Sequence, residues 1–215
     1  MDRHDMFPHF ENCLGMTLRE WTMFHNVMHR QYTHYCGRKV LKPPFDWIVM
    51  QDILWDTKPP LIIEIGSWEG GFALWMAHMS ENMGFDCRII GIDVTDRPTA
   101  VKHPRIQWVI GDATTREVQA RVAELAGDRR GLVIEDSDHK YTVTKALIEH
   151  YERYVAPGNY LVVEDTCVEA LQLPPFPGPI GAVKEFLETH KDFVSDRSRE
   201  KYIMTYNPTG YLLRK

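Results

Sequence analysis

The chain has 215 residues, enough for one sizeable α/β core and too few for two comfortable domains. Hydrophobic residues make up 44% and charged residues 26%, with a formal net charge of -5; that is the composition of a globular protein, and its acidic balance argues against a nucleic-acid-binding surface. Cys13, Cys36, Cys87 and Cys167 lie far apart with no CxxC pair, which indicates neither a zinc knuckle nor a disulfide framework and fits free thiols in a reducing compartment. No apolar run approaches the ~18 residues of a membrane span, and MDRHDMFPHF lacks the apolar stretch of a signal peptide. A cytoplasmic protein without membrane or nucleic-acid partners is expected.

In chain order, Thr17-Leu18-Arg19-Glu20 reads as a capping box, and Trp21, Phe24, His25, Met28 and Tyr32 follow at helical spacing. His25 and His29 share a helix face, with His34 close by, but spacing fixes no cysteine or acid beside them, so they read as surface or packing histidines. Residues 1–45 are expected to form a small helical cap and 46–215 the main domain. After a helix over Asp46–Trp55, strands and helices alternate. Leu61–Ile65, Arg88–Asp93, Ile106–Ile110, Leu132–Glu135 and Tyr160–Val163 read as strands. Phe72–Met83 reads as a helix, as does the segment opened by Thr114-Thr115-Arg116-Glu117, with Val118, Val122 and Leu125 on one face and Gly127 as its stop. Val143, Leu147, His150, Tyr151, Tyr154 and Val155 mark a third helical stripe. Strands apolar on both faces and separated by helices imply a parallel sheet covered on both sides. Lys201–Tyr206 and Tyr211–Leu213, joined by Asn207-Pro208-Thr209-Gly210, predict a closing antiparallel hairpin. The fold class is α/β, Rossmann-like, with a mostly parallel seven-stranded sheet.

Ligands of such a sheet bind at the carboxyl ends of its strands. The first strand runs into Glu64-Ile65-Gly66-Ser67-Trp68-Glu69-Gly70-Gly71. This is not the GxGxxG loop that cradles a pyrophosphate; its acids suit a cationic ligand, while Gly66, Gly70 and Gly71 permit close backbone approach. Asp93 ends the second strand, where a carboxylate can accept both hydroxyls of a ribose. Asp112 and Ala113 follow the third, where an adenine edge would lie. Singly, a glycine pair reads as a tight turn and a strand-end Asp as a helix cap. The ordered set across three strands points to S-adenosylmethionine held by Glu64, Gly66, Ser67, Gly70, Gly71, Asp93, Asp112 and Ala113: a sulfonium, a ribose and an adenine, with no phosphate.

The fourth strand ends in EDSDH, Glu135 to His139, and the fifth in Glu164-Asp165. Adjacent strand ends bring Asp138 beside Glu164 and Asp165, a hard oxygen set suited to Mg2+ or a similar divalent cation. The bland alternative is carboxylates solvated or capping at strand ends. Glu135 and Asp136 compete as ligands, but spacing along the strand favours Asp138.

The stretches LKPPFDW, LIIEIGSWEGG, HPRIQWVIGDAT, EDSDHK, PGNYLVVEDT, PGPIGAVKEFL and DRSREKYIMTYNPTGYL resemble the cephalosporin hydroxylase family, which includes rhamnosyl O-methyltransferases. The resemblance implies a class I, S-adenosylmethionine- and Mg2+-dependent O-methyltransferase of the catechol type, with its metal triad on Asp138, Glu164 and Asp165. The expected acceptor is a hydroxylated small molecule, a sugar diol or antibiotic intermediate, with His139 or Lys140 taking the proton. A homo-oligomer is expected. Lys42-Pro43-Pro44 resembles a family segment near the active-site mouth, or is a plain linker; Leu173–Pro179 is a lid or a stiff connection. Rival functions are a hydroxylase or oxidoreductase component, which needs two histidines and a carboxylate for iron, and a non-catalytic partner keeping the cofactor fold.

Overall fold

The computed structural model describes residues 10–173 and 176–215. Residues 1–9 of the expected cap, and Pro174 and Pro175 of the proline-rich segment, lie outside them. The capping box forms: Thr17 Oγ1 accepts from the Glu20 N–H at 3.2 Å, and the Glu20 carboxylate accepts from the Thr17 N–H at 2.8 Å. Helix α1 (Leu18–Tyr32) follows. A short antiparallel ribbon, β1 (His34–Tyr35) with β2 (Arg38–Lys39), leads toward the site. Helix α2 (Pro44–Thr57) starts on proline, whose missing N–H would have no helical partner there in any case.

Five strands are parallel: β3 (Leu61–Ile65), β4 (Arg88–Asp93), β5 (Ile106–Ile110), β6 (Leu132–Glu135) and β7 (Tyr160–Val163). Between them lie α3 (Gly71–Asn82), α4 (Arg116–Ala126) and α5 (Tyr141–Tyr151). The short α6 (Cys167–Ala170), then α7 (Pro179–Thr189), β8 (Phe193–Ser195) and β9 (Tyr211–Arg214) complete the chain. The seven-stranded order is β5-β4-β3-β6-β7-β9-β8, with β9 antiparallel to both neighbours. The expected sheet is present with one correction. Lys201–Tyr206 is a run of turns and bends, and β9 pairs with Phe193–Ser195 instead. The polar groups of the first segment are committed to α2: Lys201 Nζ meets Asp52 at 2.5 Å, and Thr205 Oγ1 and the Tyr206 N–H donate to Asp46 at 2.6 and 2.9 Å.

Alternation along the strands builds two apolar layers. Leu61, Ile63 and Ile65 of β3 pack toward α4, α5 and α7, whereas Ile62 packs with α2 and α3. Glu64 falls on the α2–α3 side and is fully enclosed. Val40 and Lys42, from the segment before α2, are buried as well.

Candidate active site

Strands β4 and β5 lie on one side of β3, and β6 and β7 on the other. The chain therefore reverses its order between β3 and β6, where parallel sheets of this kind open a ligand crevice. A cavity of about 740 Å³ lies there.

Its first wall is the loop after β3. Gly66 has φ 93°, and a Cβ there would stand 1.9 Å from the Asp136 carbonyl oxygen. Only glycine lets the β3 and β6 loops cross so closely. The Gly66 and Ser67 N–H groups donate to the Ile92 carbonyl at 2.8 and 3.1 Å. Asp93 Oδ2 accepts from the Trp68 N–H at 2.8 Å, while Oδ1 accepts from the N–H and hydroxyl of Thr95, both at 2.8 Å. One carboxylate thus ties two strand ends together and keeps acceptor capacity on Oδ2. Asp112 Oδ1 holds the turn after β5 through the Thr114 N–H and hydroxyl, which draw its pKa below the usual range. The Ala113 carbonyl accepts from Tyr151 at 3.1 Å.

Six of the eight residues singled out for the cofactor line this cavity: Glu64, Gly66, Ser67, Asp93, Asp112 and Ala113. Gly70 and Gly71 do not. A Cβ on Gly70 would meet the Trp108 ring at 2.9 Å, and one on Gly71 would meet Val40 at 2.7 Å, so both serve the packing of α3. Trp68 and Arg97 line the cavity too, the guanidinium 4.4 Å from the ring centroid. Neither was singled out from the sequence: Trp68 stands within the glycine loop but carries no ligand signal of its own, and Arg97 lies outside any motif.

The acidic side departs from the expected set. Asp136, His139 and Asp165 gather so that one ligand atom from each lies within 4.8 Å of the others. His139 Nε2 is 3.2 Å from Asp165 Oδ2 and 3.9 Å from Asp136 Oδ1. Asp138 instead pairs with its neighbour Lys140 at 2.6 Å, both side chains exposed. The cause is backbone geometry. His139 and Asp165 have φ of 58° and 54°, the left-handed region that side-chain-bearing residues rarely enter and that concentrates at functional sites. The alternation of an extended strand stops at Glu135, and the turn at His139 directs the imidazole to Asp165, while Asp138 lines the cavity but stands apart from the cluster on Lys140.

Behind this cluster sits Lys42. Its Nζ lies 2.6 Å from Asp136 Oδ2, 2.5 Å from Glu164 Oε2 and 4.6 Å from the Phe72 ring centroid. Burial opposes its charge, but Asp136, Glu164 and Glu64 outweigh burial and raise its pKa. Burial pushes Glu64 up to about 7, with Lys42 pulling the other way, and its Oε2 has no hydrogen-bond partner among the described residues. Burial also lifts Glu164 well above the carboxylate range against the pull of Lys42. For His139, burial favours the neutral ring, yet Asp165, Asp136 and Glu135 outweigh it and raise the pKa. Several carboxylates therefore share one enclosed ammonium. That gathering of hard oxygen donors, two of which burial holds back from ionising, is a chemical fit for a divalent cation, whose charge would favour their ionised forms. In the sequence Lys42 stood only within Lys42-Pro43-Pro44, a stretch open to both readings, active-site mouth or plain linker, with no sign of its carboxylate partners.

The model of the rhamnosyl O-methyltransferase/CmcI family matches residues 27–215. A rhamnosyl O-methyltransferase of Mycobacterium leprae (strain TN) is 31% identical over 222 residues, covering 96% of this chain and 97% of the relative. One from Mycobacterium bovis is 30% identical over 191 residues, covering 85% and 78%. CmcI solved with Mg and SAM aligns with a TM-score of 0.67 at 21% identity, over 100% of this chain and 84% of that one. MycE, a methyltransferase of mycinamycin biosynthesis solved with Mg, SAH and mycinamycin VI, aligns at 0.51 and 21% identity, over 70% and 42%. At those identities the solved structures speak for the fold, which is that of a Rossmann-like methyltransferase. The chain belongs to the rhamnosyl O-methyltransferase/CmcI family, and is an O-methyltransferase.

Proposed function

We propose that this enzyme transfers the methyl group of S-adenosylmethionine to a hydroxyl oxygen of a small acceptor, a sugar diol or natural-product intermediate, with the help of Mg2+ or a similar divalent cation. The supporting observation is the convergence of Asp136, His139 and Asp165 on the cavity that Asp93 and the Gly66 loop also line. CmcI and MycE, which share the fold, were solved with Mg and with SAM or SAH.

Asp93 would hold the ribose, Asp112 and Ala113 the adenine side, and Glu64 the neighbourhood of the sulfonium. Asp136 and Asp165, with Glu164 behind them, are assigned to the metal in place of a set containing Asp138, whose carboxylate is spent on Lys140. The bound cofactor supplies an electrophilic methyl, and the cation lowers the pKa of the acceptor hydroxyl and aligns it. Lys42 keeps Asp136 and Glu164 in register. His139, which lines the cavity with Nε2 held against Asp165 and with Nδ1 lacking a hydrogen-bond partner among the described residues, is the candidate base for the acceptor's proton. Lys140 is the weaker candidate because its ammonium is exposed and paired outside. An iron-dependent hydroxylase fits the donors less well, since the cluster offers one histidine with two carboxylates where the facial triad uses two histidines and one carboxylate.

Titration calorimetry with Mg2+ tests the ligand assignment. Asp136→Asn and Asp165→Asn should abolish binding and Asp138→Asn should leave it intact. Loss confined to Asp138→Asn would return the role to that residue.

A further inference from the structure

The segment from Tyr206 to Gly210 wraps the carboxyl end of β7. The Val163 N–H donates to the Gly210 carbonyl at 2.8 Å, Thr166 Oγ1 to the Pro208 carbonyl at 2.7 Å, and the Cys167 N–H to the Tyr206 carbonyl at 3.0 Å. A Cβ on Gly210 would lie 2.1 Å from the Val163 carbonyl oxygen, so the strap runs in backbone contact with the strand end. These three ties use backbone carbonyls of the strap. The fourth uses a side chain and falls on the residue at the site: the Asp165 N–H donates to Asn207 Oδ1 at 3.0 Å.

That bond fixes the direction of a chain of hydrogen bonds. A backbone N–H can only donate, so the amide atom facing Asp165 is the oxygen and the other is the NH2 group. The NH2 donates to the Tyr211 hydroxyl at 3.4 Å, and that hydroxyl donates to Asp46 Oδ1 at 3.0 Å. Asn207, Tyr211 and Asp46 are all buried. Asp46 is anchored in turn by Thr205 Oγ1 and the Tyr206 N–H. The chain ends on a residue whose left-handed backbone is unfavourable without outside support.

We propose that Asn207, oriented by Tyr211 and Asp46, is a positioning residue that sets the backbone of Asp165 and so the direction of its carboxylate toward His139. The inference rests on the assignment of Asp165 to the metal. With Asn207→Ala, the Asp165 N–H loses its acceptor and the carboxylate is released from its fixed direction. A buried polar partner of this kind supports metal affinity by about tenfold or more.

The full-length protein is titrated with Mg2+ by calorimetry, and kcat and S-adenosylmethionine affinity are measured in parallel. Asn207→Ala should weaken Mg2+ binding by about tenfold or more and lower kcat while cofactor affinity stays at the parent value. Tyr211→Phe keeps the ring and removes only the hydroxyl that orients the amide; it should show a smaller loss in the same direction. A lower melting temperature with unchanged Mg2+ affinity and kcat would make Asn207 a purely structural residue and overturn the inference. If Asn207→Ala does not fold, Tyr211→Phe decides: unchanged Mg2+ affinity overturns the inference and weakened affinity upholds it. Parent protein that takes no Mg2+, or Asp165→Asn that still takes it, overturns the metal assignment and this inference together. Parent binding that Asp165→Asn abolishes but Asn207→Ala preserves overturns this inference alone.

Discussion

Lys42→Met removes the buried cation that Asp136 and Glu164 share while roughly keeping side-chain length. The Lys42 side chain is 4% exposed and the Glu164 side chain 7%, so solvent screens the pair little. Removing one partner of such a pair costs about 3–5 kcal/mol because a buried charge is left uncompensated. Glu164 resists ionisation already, its pKa lifted by burial against the pull of Lys42. It can relieve part of the cost by taking up a proton, which places the expectation toward the lower end of that range. A protein of this size loses about 2–4 °C per kcal/mol, so the melting temperature should fall by roughly 10 °C in metal-free buffer. Urea unfolding with and without Mg2+ is the assay. Mg2+ should stabilise Lys42→Met more than the parent, because the variant has lost the resident charge on carboxylates assigned to the metal. A variant as stable as the parent without metal, or equal Mg2+ increments in both, would refute the charge-balance reasoning.

Asp93→Ala should weaken S-adenosylmethionine binding by about 1.5–3 kcal/mol, the range of a hydrogen bond to a charged group; unchanged affinity in calorimetry would remove Asp93 from the cofactor site. His139→Ala should depress kcat with cofactor affinity preserved, and Lys140→Ala should leave turnover near the parent value; steady-state kinetics showing the reverse would pass the base role to Lys140. Asp46, on α2, has a folded pKa raised by burial from 3.8 to about 6. Such a raised acid favours folding at low pH, and the benefit is lost as pH rises from the ordinary value through the folded one. The parent should therefore lose about 3 kcal/mol across that window relative to Asp46→Asn. Parallel stability–pH curves for the two proteins would contradict it.

The five parallel strands were legible because each is a short apolar run bounded by a turn or capping signal, and helix α4 announced itself through Thr115, whose Oγ1 accepts from the Val118 N–H at 3.5 Å. The partner of β9 was not. Lys201–Tyr206 has the alternation of a strand, but Asp46 and Asp52 on α2 claim its polar groups, and that competition is tertiary. At the site, rules of position along strands pointed to Asp93, Asp112 and Asp165, which line the cavity, and to Glu164, which is buried behind it against Lys42. Between Asp136 and Asp138 they could not choose by geometry, because the left-handed turn at His139 breaks the alternation on which the choice rested, and Asp136 is the one that gathers with His139 and Asp165. Lys42 was legible only as part of a segment at the site's mouth or in a linker; its pairing was not, because its neighbours in sequence are apolar and its carboxylate partners come from other strands. Gly70 and Gly71 stand in the same loop but do not line the cavity, and a Cβ on either would meet Trp108 or Val40.

Transfer of labelled methyl from S-adenosylmethionine to a panel of sugar diols and hydroxylated natural products, run with Mg2+ and with excess chelator, tests the central claim most directly. Label should appear on a hydroxyl-bearing acceptor only when the divalent cation is present, with transfer abolished by Asp165→Asn while the cofactor still binds. Full transfer in excess chelator, or undiminished transfer by Asp165→Asn, would contradict it.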